Sequence, residues 1–456
     1  MKKMTFLQIL AVTTFLMTAG CASDKANIPN LADELHYNQQ IRVQYRVDSS
    51  WWNGYGAAEL DKLVQKALEN NPDYLKAAIN VNKQLYTLNI ARSDLFPTLT
   101  SSLGASSQKK LNKGYAKSDN FSGELGLNYE VDLYGKIADE TKAQALEYSA
   151  TVQDRESARL ALINSVVDLY FNLQYLQNTV DLCQKNIDAY RNILKITRQR
   201  YENGKSDKLE VVQAKQSLVA EENNLLEAQT QFKEMEQSLK NILNLRPEDK
   251  LEITYSSILN QKILPVDLNV PLAVLANRPD LAAAQYRLRK AFKNWQANEK
   301  SWYPTVSLNG ALGSSSTKAG TTFDFPYLGG SVSLKLPFLD WNRVKNNIKI
   351  SEADYEIAVL DFKDTLTQAL NELAYYDYAY DKSTKVYENI KKNVVNNEQI
   401  TKYYQIRYDN GKAEFKDLLE AIHTENTSRK NLVRQKYQII KYENYIYKSM
   451  AGRYEK

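Results

Sequence analysis

The residues whose type and position could support chemistry are carboxylates that follow two nearly identical turns. The segments Arg200–Lys205 and Arg407–Lys412 are followed by Glu210 in the first case and by Asp417 and Glu420 in the second. The glycine in each segment can take the left-handed conformation that ends a helix, so both segments predict the turn of a helical hairpin. On spacing alone, carboxylates just off a helical seam indicate a solvated face, and a functional role needs further support.

Enzymatic chemistry has little material in this chain. The 456 residues include two histidines and two cysteines, and no phosphate-binding loop, Ser/His/Asp set or paired-carboxylate site emerges. Cys183 falls on an apolar seam, where a buried free thiol that packs as a small hydrophobe is expected. A net charge of +5 without a Lys/Arg block argues against nucleic acid as a partner. The composition therefore predicts neither an enzyme nor a metal or cofactor site.

The N-terminus has the layout of a secretory signal. A short basic start, Met1–Lys3, precedes an apolar run that ends at Thr18–Cys21. That ending resembles a bacterial lipobox, which predicts a signal peptide over residues 1–20 and a covalent lipid on Cys21, with ordinary signal cleavage as the alternative. Ala22, where an Asp would retain a lipoprotein at the inner membrane, is compatible with sorting to the outer membrane. No later run reaches the roughly 18 to 20 apolar residues that a spanning helix needs.

The rest of the chain contains an internal repeat with a fixed offset. Tyr408 and Tyr201 are 207 positions apart (408 minus 201), and four further pairs of matching segments are separated by the same number of residues. They are Asn71–Asp73 with Arg278–Asp280, Phe96–Leu99 with Tyr303–Val306, Lys136–Ile137 with Arg343–Val344, and Ala214 with Ala421. The predicted segments are 21–59 at the N-terminus, 60–247 as the first repeat, 248–266 as a linker and 267–454 as the second repeat.

Each repeat begins with a helix and a β-hairpin. In the first repeat a helix is predicted over Ala57–Leu95, ended by a proline two residues later. Two segments with period 2 follow, starting at Leu99 and Phe121, and the second repeat contains their equivalents. Such alternation predicts strands with one apolar and one polar face. The polar joins Gln108–Asn120 and Thr317–Tyr327 are predicted to be the hairpin loops.

A very long helix follows each hairpin. The two helical patterns run over Ile137–Gln199 and Val344–Ile406, and a helix of that length would span on the order of 90 Å. In the first repeat the apolar residues alternate spacings of four and three, and the next helix keeps an apolar residue every seventh position. A period of 3.5 predicts left-handed supercoiling against partner helices.

The hairpins point to a pore. Four strands cannot close a membrane barrel, because unpaired strand edges are not tolerated in lipid and the smallest bacterial barrels have about eight strands. Closure would therefore need several chains, and polar strand faces turned inward would enclose water. A soluble sheet packed on another element is the alternative that the pattern leaves open.

The order of motifs along the chain resembles a known family. The motifs that carry the resemblance are the lipobox, the helix, the hairpin, the sequence motifs Asp132–Lys136 and Leu336–Asp340, and the duplicated turns. Their order is similar to that of the TolC-like outer-membrane factors, in particular their lipid-anchored OprM/NodT-type branch. The resemblance covers about residues 21–454. It implies a mainly α chain with a membrane β portion: a trimeric outer-membrane β-barrel with four strands per chain, continuous with a long periplasmic coiled-coil α-barrel.

The resemblance also implies partners and a gate. The expected partners are two further copies in a homotrimer, a periplasmic adaptor (membrane fusion) protein, an inner-membrane pump of the RND type, and outer-membrane lipid. The family's gate positions correspond to Tyr408, Asp417, Glu420 and Glu210, whose carboxylates would ring the periplasmic aperture. Ala413 stands where the family can carry a basic gating partner. The residues expected to form adaptor-docking tips are Asn203, Gly204, Lys205, Asn410, Gly411 and Lys412.

The predicted function is passive export of drugs or other toxic small molecules through this duct. A duct for peptide or protein secretion of the type I kind is an alternative within the same class. A periplasmic coiled-coil scaffold without a pore is the alternative from another class, and the amphipathic hairpins argue against it.

Overall fold

The computed structural model describes residues 46–48, 50–109, 117–264, 266, 275, 277–324 and 326–455. The predicted signal peptide and the predicted lipid site at Cys21 lie outside the described residues. Two short strands lie near the ends of the described residues: β1 (Arg46–Asp48) and β6 (Arg453–Glu455).

The described chain is mainly helical, with one four-stranded sheet, as predicted. The elements of the first half are α1 (Ala58–Asn70), α2 (Pro72–Ser93), β2 (Thr98–Lys109), β3 (Lys117–Val131), α3 (Lys136–Glu202) and α4 (Lys208–Ile242). Those of the second half are α5 (Pro279–Glu299), β4 (Thr305–Ser316), β5 (Tyr327–Lys335), α6 (Trp341–Asp409) and α7 (Phe415–Ser449). The long helices α3 and α6 contain 67 and 69 residues and exceed their predicted bounds by three residues or fewer at each end.

The prediction of a single helix over Ala57–Leu95 is wrong, because the helix is interrupted at Asn71. Pro72 lacks an N–H group and disfavours the helical conformation of the residue before it. Asn71 is accordingly extended, and its side-chain oxygen accepts hydrogen bonds from the backbone N–H groups of Asp73 and Tyr74, both at 3.0 Å. Asn71 therefore ends α1 and caps α2.

The first hairpin loop is shorter than predicted. The strands continue to Lys109 and resume at Lys117, so part of the predicted loop Gln108–Asn120 belongs to the strands. The motif Asp132–Lys136, which connects β3 to α3, has a clear local role. The Asp132 carboxylate accepts hydrogen bonds from the N–H groups of Ile137 and Ala138 at the start of α3. Gly135 supplies the left-handed residue that this junction needs, with φ of +72°.

The sheet joins the two repeats. Its order is β2-β3-β4-β5, all antiparallel, and the central pair β3 and β4 comes from different repeats. Residues directly opposite each other share a face, and the leucines and valines of all four strands fall on one face, as Leu125 opposite Leu312 and Leu312 opposite Leu328 illustrate. This face is solvent-exposed in the single chain; Leu103 is 83% exposed and Leu328 is 84% exposed. The predicted division into an apolar and a polar face is confirmed.

The helices pack in antiparallel pairs within and between the repeats. Helix α3 packs against α4 and α5, α6 packs against α7 and α5, and α7 also crosses back to α3. Cys183 lies in α3 as the predicted buried free thiol, and burial raises its pKa to about 11. No helix within the described ranges is long and apolar enough to cross a membrane.

The two ends of the described chain meet beside these helices. Strand β1 pairs with β6, and the indole N–H of Trp51 donates a 2.9 Å hydrogen bond to the side-chain oxygen of Asn444 in α7. Next to Asn444, the Glu443 carboxyl is fully buried and accepts a hydrogen bond from the backbone N–H of Leu264, which follows the first repeat. These contacts fasten the segments outside the repeats to the last long helix.

Candidate functional site

The two predicted hairpin turns have the same hydrogen-bond geometry. Gly204 and Gly411 have φ of +70° and +69°, in the left-handed region. In the first turn the N–H of Gly204 donates to the carbonyl of Tyr201 at 2.9 Å, and the N–H of Lys205 donates to the carbonyl of Arg200 at 2.8 Å. The second turn repeats both bonds at the equivalent positions, at 3.0 and 2.7 Å. Both turns are therefore Schellman motifs that end a long helix.

Asparagine completes each turn. The side-chain amide of Asn203 donates to the carbonyl of Gln199 at 2.8 Å, and that of Asn410 donates to the carbonyl of Ile406 at 2.7 Å. The residues predicted as docking tips thus form two compact and exposed helix ends. Their backbone groups are bonded within the turns, which leaves the charged ends of Lys205 and Lys412 at the surface.

The two turns are joined by a hydrogen bond between repeats. The hydroxyl of Tyr408, in the last turn of α6, donates to Oε2 of Glu210, in the first turn of α4, at 2.8 Å. The guanidinium carbon of Arg200 lies 4.6 Å from the centre of the Tyr408 ring. Burial and the Glu210 carboxylate raise the pKa of Tyr408 well above its ordinary value, so its hydroxyl remains a proton donor. The structure therefore brings together two of the four predicted gate residues.

An apolar cluster supports this hydrogen bond. The Tyr408 ring packs against Phe415 with ring centres 5.3 Å apart, and Ala214 of the first repeat is fully buried in the same cluster. Leu418 and Leu419 complete the cluster from the first turns of α7. Because Tyr408 is held on one side by this packing, its hydroxyl has a defined position opposite Glu210.

Asp417 and Glu420 are separate from the Tyr408–Glu210 pair. Asp417 takes part in a capping box at the start of α7, where it accepts a long 3.4 Å hydrogen bond from the N–H of Glu414. Glu420 is exposed, and its carboxylate makes no hydrogen bond or ion pair within the described part of the chain. In the single chain Glu420 is therefore open to solvent, whereas Asp417 is half-buried and bonded only within its capping box.

The cation beside Tyr408 is Arg200, which was not predicted. The family can carry a basic residue at the position of Ala413 in the second repeat, whereas here the guanidinium comes from the end of α3 in the first repeat. The sequence contained one signal, since Arg200 and Arg407 precede equivalent tyrosines. Which arginine meets which tyrosine depends on how the hairpins pack.

A second polar contact between repeats was also missed. Buried Glu221 in α4 accepts hydrogen bonds from the side chains of Asn186 and Asn224 at 2.8 and 2.9 Å, and Lys430 of α7 lies 3.4 Å from both of its oxygens. Although burial acts to raise the pKa of Glu221, these partners hold it below the ordinary value. The available signal was a carboxylate on the apolar seam, three residues after Leu218.

Two long helical hairpins, an amphipathic four-stranded sheet and paired tips define the class of outer-membrane channel proteins with a periplasmic helical tunnel. The sequence profile of the family described as outer membrane efflux protein matches residues 63–245 and 270–452, and the two matches are separated by the same offset as the repeats. The chain belongs to this family. The predicted resemblance is confirmed, and the family's description, outer membrane efflux protein, gives the chain a transport role rather than an enzymatic one.

Individual relatives agree with the family assignment. The chain is 39% identical over 457 residues to the toxin and drug export protein A of Aggregatibacter actinomycetemcomitans, and the match covers 99% of this chain and 98% of that protein. It is 23% identical over 389 residues to the probable outer membrane lipoprotein SilC of Salmonella typhimurium, over 81% of this chain and 82% of that protein. The fold is similar to that of the outer membrane protein VceC of Vibrio cholerae, with a TM-score of 0.81, 21% identity, and coverage of 89% of this chain and 99% of that one.

Proposed function

We propose that three copies of this chain form a passive outer-membrane duct of a tripartite efflux system. The observation that carries the proposal is the sheet of the described chain: four strands with one exposed apolar face and two outer edges, β2 and β5. In lipid an open edge leaves backbone N–H and C=O groups unsatisfied, so this sheet requires closure by further copies. Three copies give a 12-stranded barrel with its apolar face toward lipid and its polar face toward a water-filled lumen.

The helical hairpins then continue the lumen into the periplasm. Helices of 67 and 69 residues reach about 100 Å at 1.5 Å per residue. The tips around Gly204 and Gly411 form the far end, where we place the docking surface for a periplasmic adaptor protein. An inner-membrane pump of the RND type supplies the energy, since nothing in a water-filled duct would do so.

The aperture lies between the tips. In a trimer three copies each of Asp417, Glu420 and Glu210 surround the axis, and rings of carboxylates at a narrow neck favour cations. Tyr408 holds the two hairpins of one chain together through Glu210. Opening therefore requires the Tyr408–Glu210 hydrogen bond to break or to move.

A lipid on Cys21 anchors the mature chain to the outer membrane. The support is the lipobox-like sequence before Cys21 and the similarity to a relative whose name describes an outer membrane lipoprotein. The duct itself needs no other cofactor.

The expected cargo is drugs or other toxic small molecules, in keeping with the name of the relative that is 39% identical. The same name includes a toxin, which favours peptide or protein export as the second candidate. The two differ in the pump and adaptor rather than in the walls of the duct.

The test is conductance of the purified chain in planar lipid bilayers, combined with its mass in detergent. A trimer with discrete, cation-favouring channels is expected. A trimer or monomer that never conducts, even after Asp417→Ala with Glu420→Ala, would contradict the duct and favour a scaffold. Loss of drug resistance on gene deletion, compared with loss of a secreted polypeptide, separates the two cargo candidates.

A further inference from the structure

The internal duplication is preserved in the hydrogen bonding of the structure. Thr98 pairs with Asn128 in the first hairpin, and Thr305 pairs with Lys335 in the second, so both partners shift by the repeat offset. The two Schellman turns keep the same offset. The repeats are therefore equivalent building blocks, and a contact that repeat 1 makes with repeat 2 can recur between repeat 2 and the repeat 1 of another copy.

If the contact between repeats recurs between two copies, the surfaces that form it must be exposed in the single chain, and several of them are. The in-chain pair of β3 and β4 has β5 and β2 as its equivalents, and these are the two outer edges of the described sheet. Ile90 on α2 and Ile350 and Ile357 on α6 are more than half exposed. At the equivalent positions of the other repeat stand buried alanines, which are Ala297 on α5 and Ala143 and Ala150 on α3, two helices that pack along each other. Exposed apolar residues thus occupy the positions where the in-chain interface is buried.

The same comparison at the tips concerns the Tyr408–Glu210 pair. Its equivalents are Tyr201 and Asp417, since 408 minus 201 equals 417 minus 210. Tyr201 is 44% exposed, and its hydroxyl makes no hydrogen bond among the described residues. Within the same part of the chain, Asp417 accepts only the 3.4 Å bond of its own capping box.

The arginines follow the same pattern. Arg200 covers the ring of Tyr408, whereas its equivalent Arg407 is exposed and, among the described residues, bonds only to the carbonyl of Lys412 at 3.2 Å. Tyrosine, carboxylate and arginine are therefore all present for a second copy of the gate contact. Within one chain, however, no second hairpin packs against these residues to complete it.

We propose that a second gate bond forms between protomers, in which the hydroxyl of Tyr201 of one protomer donates to the partner subunit's Asp417. The partner subunit's Arg407 covers the ring of the same Tyr201. This inference rests on the proposed trimer. The mouth is then closed by six tyrosine–carboxylate bonds, three within chains and three between them. Such a lock needs no basic residue at Ala413, and Asp417 contributes both to the aperture and to the seam between subunits.

The first test is conductance of Tyr201→Phe, which removes one oxygen atom and no charge. The ratio of open to closed channels is expected to rise by about tenfold or more, as for loss of a hydrogen bond to a charged group, with cation preference unchanged. Tyr408→Phe is the positive comparison, because it removes the equivalent bond within the chain and should raise the ratio of open to closed channels similarly. Asp417→Asn added to Tyr201→Phe should open the channel little further, since both changes remove the same contact.

The second test is cross-linking with a short bis-maleimide in a Cys183→Ser background. Tyr201→Cys with Asp417→Cys should give covalent dimers and trimers, whereas Tyr408→Cys with Glu210→Cys should give a product within one chain that stays at monomer mass.

Two results overturn the proposal. If the wild-type protein is a conducting trimer, but Tyr201→Phe leaves gating unchanged and the first cysteine pair gives only monomers, the bond between subunits is absent while the duct stands. If the wild-type protein is neither trimeric nor conducting, the proposed function fails together with the bond.

Discussion

Tyr408 and Glu210 are 198 residues apart in sequence, and a 2.8 Å hydrogen bond joins them at the tips of two helical hairpins. The bond ties the end of the long helix of the second repeat to the start of a helix in the first. Its donor is held by an apolar cluster and covered by Arg200. Relative motion of the two hairpins at this end must therefore disturb it.

This bond should favour the closed channel. Tyr408→Phe should raise the open-to-closed ratio in planar bilayers by about tenfold or more, because a hydrogen bond to a charged acceptor contributes on the order of 1.5 to 3 kcal/mol. Glu210→Ala should have a similar effect, and the double variant should add little. Additive effects of the two changes would show that they act on different contacts.

Neutralising the two carboxylates that follow the second turn should change ion selectivity. Asp417→Asn with Glu420→Gln is expected to lower the preference for cations, measured as a shift of the reversal potential toward zero in a salt gradient. Asp409→Asn serves as the control, since Asp409 is an exposed carboxylate at the same tip that is bonded to Gln405. An unchanged reversal potential in the double variant would remove both residues from the aperture.

Gly411 should be needed for its backbone conformation alone. A Cβ atom at Gly411 would meet nothing within 4 Å, but its φ is +69°, and a side chain in this region costs roughly 1 to 2 kcal/mol. Gly411→Ala should speed hydrogen exchange in the turn about tenfold, and Gly411→Asn should do so less. Gly320→Ala is the matched control, because Gly320 also has open space but no positive φ. Equal exchange in the two alanine variants would contradict the role of strain.

Stability should depend on pH through Glu443. Burial raises the pKa of this carboxyl to about 8 from an ordinary 4.5, against the lowering effects of the Leu264 N–H, Tyr55, Lys436 and Arg453. Between these values the folded chain holds a proton that the unfolded chain has released, so the stabilisation is present at low pH and is lost as pH rises through 8.

The variant Glu443→Gln mimics the protonated form. It should match the wild-type melting temperature near pH 5 and exceed it near pH 9, where the two free energies of unfolding differ by about 5 kcal/mol. Glu234→Gln, at an exposed position of α4, should follow the wild type at both pH values. A wild-type curve that stays parallel to that of Glu443→Gln would show that Glu443 does not titrate in this range.

Lipidation should depend on Cys21. The mass of the mature N-terminus of the wild type is expected to include a diacylglyceryl group and an amide-linked acyl chain, and Cys21→Ser should abolish both. A wild-type mature chain without added mass would instead indicate ordinary signal cleavage.

Local patterns in the sequence predicted much of the fold. The alternation in the hairpins identified the strands and their apolar face, because a period of 2 is a property of neighbouring residues. The long helices were predicted within three residues at each end, since their seams and the Asn-Gly turns are equally local. The division at Asn71 was not predicted; its signal was Pro72, which disfavours the helical conformation of the residue before it.

The sequence by itself determined the two-fold duplication, the hairpin turns and the carboxylates that follow them, since each depends on spacing along the chain. Only the tertiary structure decided that Arg200 and Glu210 of the first repeat surround Tyr408, whereas the equivalent Tyr201 stays exposed. The two tyrosines have nearly the same sequence neighbours. Their surroundings differ because each helical hairpin packs against the other on one side only. Tyr408 lies on the packed side of its hairpin, and Tyr201 lies on the unpacked side of the other.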